Sequence, residues 1–229
     1  MPLHHLQMRQ KTRLAVRAIR QHSSLSYEDI LAETLLHAIV RQSLGSEPIA
    51  CKLFYQSATG LRSFGSAHIV RGVGNDELWL GRAKVATASS YDEVVRTVVR
   101  ELEHTLDTEF LKDERETIIT LREPQHMLPT TLETAFARNT PIDDLIEVVC
   151  IPVLLGYDSN VLGSGYDAEY KSRLVDEVRR AYEAFKLKLP ATLQTIKVHI
   201  FLIPVECVKT LTDQFTQLIQ TSGHGLPGP

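Results

Sequence analysis

Cysteine is scarce in this sequence, and so are aromatic residues, an excess of one charge sign and long apolar runs. The three cysteines, Cys51, Cys150 and Cys207, are scattered with no Cys-x-x-Cys spacing. That pattern excludes a disulfide framework and the usual structural zinc site, and it points to buried, reduced thiols. The net charge is only −3, so composition alone announces no nucleic-acid binder, and any such surface must be a local patch. No apolar run approaches the roughly 20 residues of a membrane-spanning helix. Met1 to Gln10 lack the apolar core of a signal peptide. The expectation is a cytoplasmic protein with no membrane partner.

What is present is the make-up of a folded chain. Of 229 residues, 43% are hydrophobic and 23% charged, enough apolar material for one substantial core. One domain is expected over residues 1–221, and residues 222–229 read as a flexible Gly/Pro tail. Lys11, Arg13, Arg17, Arg20 and His22 form a basic stretch, either a solvated first helix or an arm that touches a partner.

A firmer helix begins at Ser26, where Ser26 and Asp29 fit a capping box. Leu31, Leu35, Ala38 and Ile39 supply a face, Glu33 and His37 share another, and Gly45 ends it. Strands are expected at Ile49–Tyr55, Ser66–Val70 and Glu77–Lys84, with a hairpin turn over Gly72–Asp76. A second capped helix starts at Ser90 with Glu93 three residues on, and it carries Arg96 and Arg100 one turn apart. Thr117–Leu121 reads as a strand, and the segment to Thr140 as irregular. Val148–Leu155 is apolar throughout, as in a strand covered on both faces. A long helix over Tyr166–Lys188, a strand over Ile196–Ile203 and a helix over Val208–Gln220 complete the order. Such alternation implies an α/β sheet flanked by helices.

Two segments carry a resemblance. Asp76-Glu77-Leu78-Trp79-Leu80-Gly81-Arg82-Ala83-Lys84 is similar to the third core strand of HamA proteins, the nuclease subunits of Hachiman antiphage systems. Ile151-Pro152-Val153-Leu154-Leu155-Gly156-Tyr157-Asp158-Ser159 resembles a second signature of that family. The likeness runs from about Ser26 to Gln220. It implies a restriction-endonuclease-like, PD-(D/E)XK-type core over residues 26–121, with a β-α-β-α extension of the same sheet over 145–221. It also implies DNA as the target and a HamB-type helicase as partner, with the 166–188 helix and the basic arm as candidate docking faces.

In that fold the second strand supplies an acid and the third an acid-x-Lys triplet. Two carboxylates hold a divalent cation such as Mg²⁺ against the scissile phosphate, and the lysine positions the attacking water. Residues two apart on a strand share a face, so the triplet aims both groups at one place. This chain departs from the pattern. Arg82 stands two residues before Lys84, and the second-strand position falls on Gly65 or Ser66. A guanidinium has no lone pair to ligate a cation. Glu33 is the carboxylate best placed to approach from the helix, either as a relocated ligand or as a partner for Arg82.

Three functions therefore stand open. One is a Mg²⁺-dependent DNase using Glu33, a relocated acid and Lys84. Another is a degenerate relative in which Arg82, Lys84, Arg96 and Arg100 contact DNA without cleaving it. The third is an unrelated enzyme using Asp158 and His199. Against the third, Asp158-Ser159-Asn160 suits a turn, and His68 and His199 suit packed core histidines.

Overall fold

The computed structural model describes residue 16 and residues 25–51, 65–72, 76–105, 107–122, 130–137 and 140–222. Apart from buried Val16, the basic stretch lies outside these residues, as do the tail beyond 222 and most of the expected hairpin turn. The first described helix, α1 (Tyr27–Leu44), starts as its sequence dictates: Ser26 Oγ accepts from the Asp29 N–H at 3.1 Å, and Gly45 closes the helix at φ 59°. Of the expected face Leu31 is buried, Leu35 and Ile39 are half-buried against the core and Ala38 is exposed, while Ala32, Leu36 and Val40 lie deepest against the sheet. The two faces differ by one residue, and contact with the sheet decides between them.

Strands β1 (Glu47–Cys51), β2 (Ser66–Val70) and β3 (Glu77–Leu80) form an antiparallel meander, in which Val70 opposite Glu77 fits the expected hairpin. The chain continues as β4 (Arg82–Ala86) and helix α2 (Tyr91–His104). Ser90 precedes α2 without a side-chain cap bond, because its hydroxyl bonds at Thr87 instead. Helices α3 (Thr108–Leu121), α4 (Thr130–Ala135) and α5 (Ile142–Val148) then lead into the ten-residue strand β5 (Val149–Asp158).

Thr117–Leu121, expected as a strand, is the last part of α3. Asp107 caps this helix by accepting from the Glu109 and Phe110 N–H groups, at 2.9 and 3.0 Å. Phe110, Leu111 and Ile118 bury into the core. A good cap and tertiary packing override the β preference of Thr and Ile.

The strand beside the meander is therefore β5, which is buried on both faces as its composition foretold. It runs parallel to β3, to β4 and to β6 (Lys197–Val205). A short helix α6 (Asn160–Gly163), helix α7 (Tyr170–Lys186) and a 3₁₀ turn (Ala191–Thr195) connect β5 to β6, and α8 (Val208–Ser222) follows.

β3 and β4 pair with β5 at one constant offset, so they form a single line broken only at Gly81. By that offset Gly81 stands opposite Pro152, which has no N–H to give the ladder. The Gly81 N–H donates instead to Ser66 O at 3.3 Å. The position also needs glycine, because a Cβ there would lie 2.7 Å from Leu36 Cδ2 of α1.

One sheet face packs on α2, α3 and Phe185 of α7, with Leu78, Leu80, Val153 and Leu155 at the centre. The other packs on α1 through Trp79, Ala83, Cys150 and Leu154, and α8 lies against α1. No helix among the described residues is long and apolar enough to cross a membrane.

Candidate functional site

The β3/β4 line changes character at Gly81. Before it lie buried Leu78, Trp79 and Leu80; after it come Arg82 and Lys84. Among the described residues β4 is paired only with β5, so its other edge is open. The two cations diverge there, although they are two apart on a strand. Arg82, 4% exposed, meets Glu101 of α2, Nε to Oε2 3.8 Å. Lys84 Nζ donates to Asp29 Oδ1 of α1 at 2.8 Å. A long lysine stem beside an open edge can reach the helix on the other side.

Glu33 lies one turn beyond Asp29 on α1 and is 5% exposed. Its carboxylate sits over Gly65: a Cβ built there would lie 2.3 Å from Glu33 Oε2. The helix acid thus fills the space that a side chain at the second-strand position would take. Asp29 and Glu101 went unremarked as site residues in the sequence, although the helical interval between Asp29 and Glu33 signals a shared carboxylate face.

Behind Glu33 lies a buried histidine pair. His68 Nδ1 bonds Ser46 Oγ at 2.9 Å, and its Nε2 bonds His37 Nδ1 at 3.1 Å. One ring must donate and the other accept, so the contact needs at least one neutral imidazole. Burial, then the neighbouring His37 and Arg41, holds the His68 pKa down at about 4.

The other candidates separate. Arg82 is too buried to present a phosphate-contacting surface, which corrects the expectation that it does. Arg96 and Arg100 are both exposed on α2. His199 is exposed at the edge strand β6, its ring 4.8 Å from Trp79, and is no core histidine. Asp158 is a clamp rather than a turn residue, accepting from the N–H groups of Ala88 (3.0 Å) and Val208 (2.6 Å). It pairs with Val205 whereas His199 pairs with Pro152. Six strand residues separate the two, about 20 Å, so they form no common site.

The thiols divide too. Burial, then Glu77, pushes Cys150 up to about 12, and it is inert. Cys207 is partly exposed, which corrects its expected burial, and hydrogen bonds from Thr210 lower its pKa.

A divalent cation of the kind the family resemblance implies needs several oxygen ligands. Its two strand positions here hold Gly65 or Ser66 and Arg82, whose guanidinium only donates. Among the described residues no three His, Cys, Asp or Glu side chains converge on one point. These residues do not fit the cation.

The family profile described as HamA matches residues 6–219. The chain belongs to the HamA family. Anti-bacteriophage protein A of Escherichia coli (strain K12) is 25% identical over 191 residues, which cover 80% of this chain and 35% of that protein. The HamA-family chain thus spans little more than a third of that curated relative's length. No solved structure matches it.

Proposed function

We propose that this HamA-family chain serves antiphage defence as a cytoplasmic, DNA-directed component beside a HamB-type helicase. Its cleavage centre is replaced by a salt-bridged cluster on a restriction-endonuclease-like frame. The burial of Arg82 against Glu101 carries this reading. An acid at that position would accept a cation, whereas the guanidinium repels one and takes up a carboxylate. The order β1-β2-β3/β4-β5, between α1 and α2, supports the frame. In this reading β6 and α8 extend the sheet within one domain, residues 1–221. DNA contact falls to Arg96 and Arg100, the exposed pair on α2, and to Lys84 at the β4 edge.

One observation favours the runner-up, an active Mg²⁺-dependent nuclease. The Glu33 carboxylate occupies the space over Gly65, and Asp29 stands one turn away beside Lys84. Incubating the chain and its helicase with duplex DNA in Mg²⁺, Mn²⁺ or EDTA separates the readings. The degenerate reading expects bound but intact DNA in all three. Metal-dependent cleavage that Lys84→Ala abolishes would overturn it in favour of the runner-up.

A further inference from the structure

Among the described residues the sheet ends on β1, β4 and β6, and these edges are not alike. β1 spans five residues and carries Glu47, Pro48 and a register shift between Pro48 and Ala50. β4 also spans five and carries Arg82 and Lys84. Short length, charge, proline and bulges are how natural sheets keep an edge from pairing with another chain. From Val198 to Ile203, β6 has none of these. The strand runs nine residues, and Val198, Ile200, Phe201, Leu202 and Ile203 are apolar and half-exposed, with only His199 polar among them. Lys197, at its start, is held by Glu77 at 2.6 Å.

The backbone of β6 fixes which groups face outward. Val205 O accepts from the Ser159 N–H at 2.8 Å, so Val205 points toward β5. Backbone groups alternate sides along a strand, which turns Val198, Ile200, Leu202 and Pro204 to the open side. No described residue takes the N–H groups of Val198, Ile200 or Leu202. Pro204 has no N–H, and the open side is where a strand tolerates that loss. Helix α7, which contacts β6, buries only Phe185 and leaves Val175 and Tyr182 exposed two turns apart.

We propose that β6 pairs antiparallel with β6 of a second copy of this chain, about a two-fold axis at Phe201, so that two six-stranded sheets become one. A two-fold strand pair keeps matching faces together only when a residue lies on the axis, and Phe201 is the midpoint of the strand. In that register Ile200 meets Leu202 of the other copy, and Val198 meets Pro204. Every outward N–H then finds a carbonyl: Val198 at Pro204, Ile200 at Leu202 and Leu202 at Ile200. The absent Pro204 N–H leaves only the Val198 carbonyl without a donor. This self-complementarity selects a second copy over an unrelated strand. Nine residues extend about 30 Å, and helices about 10 Å across flank the sheet, so the seam hides roughly 700–800 Å² per copy, the size of a standard interface. The proposal does not rest on the reading of the Arg82 cluster, because no residue is shared.

Sedimentation velocity of the full chain from about 1 to 100 µM tests it, beside an edge variant and two cysteine variants. A reversible dimer is expected. His199→Lys alters an exposed side chain that would lie opposite Ile203 of the other copy, and it should weaken the dimer at least ~10-fold. In a Cys207→Ser background, Phe201→Cys should form a disulfide-linked dimer on mild oxidation, since Cα atoms opposed on the axis lie about 4.5 Å apart. Ile203→Cys should not, because the two copies of that position stand about 13 Å apart along the seam. The proposal is overturned if the chain stays monomeric throughout, if His199→Lys leaves the dimer as tight, or if Ile203→Cys crosslinks as readily as Phe201→Cys. A monomer whose β6 amides gain hydrogen-exchange protection only when a helicase is added would also overturn it, and would give the edge to another protein.

Discussion

The charged cluster beyond Gly81 and the cavity lined by Tyr91, Tyr157, Arg173 and Glu177 beyond the carboxyl ends of β4 and β5 differ in what brings their polar groups together. In the cluster Arg82 meets Glu101 and Lys84 meets Asp29. Around the cavity Tyr157 bonds Glu177, Glu177 also accepts from the Val161 N–H, and Arg173 holds Asp167. Glu101 Oε2 in the cluster and Arg173 Nε at the cavity are both buried without a hydrogen bond, so neither region is fully closed.

The strongest way to break this contrast is at Arg82. Arg82→Ala strips Glu101 of its guanidinium and leaves a void, and a loss of about 3 kcal/mol in urea unfolding is expected. A loss below about 0.5 kcal/mol, the level of surface sites, would mean that the cluster is not the salt-bridged structure described.

Acid should loosen the same region next. His68 is held neutral with a folded pKa near 4, below the unfolded value of about 6.5. The folded state therefore binds fewer protons. Stability from this source is complete above about pH 6.5, falls as pH drops and levels off below about 4, with a total loss of roughly 3 kcal/mol. Hydrogen exchange between pH 7 and 4.5 should show α1 and β2 losing protection before α7 and the end of β5. Uniform loss would sink the assignment.

Much of the fold was legible because it rests on local rules. Ser26 capped α1, Gly45 ended it, and the unbroken apolar run of β5 announced a strand covered on both sides. Thr117–Leu121 misled because its β-branched residues compete with a distant cap and with packing by Phe110 and Leu111. The site was half legible. Arg82 and Lys84 drew notice by spacing, but Glu101 could not, since a helix packed across the sheet brings it in. The cavity was not legible, for it joins residues from β5, α2 and α7 that share no interval.

Smaller effects sharpen the contrast. Gly65→Ala forces the Glu33 carboxylate aside and should cost about 1 kcal/mol. Most of that cost should vanish in a Glu33→Ala background, a coupling that a double-mutant cycle measures. Additive effects would place Glu33 elsewhere. Lys84→Ala breaks a partly exposed pair with Asp29 and should cost no more than about 1 kcal/mol in urea unfolding.

The central claim is that Arg82, paired with Glu101 and flanked by Glu33 over Gly65, stands where a cation would otherwise be held. Calorimetric titration of Mn²⁺ and Mg²⁺ into the full chain, beside its Glu33→Gln variant, tests this most directly. The expected result is no saturable binding that the variant loses. Stoichiometric binding to the unaltered chain, abolished by Glu33→Gln, would contradict the account.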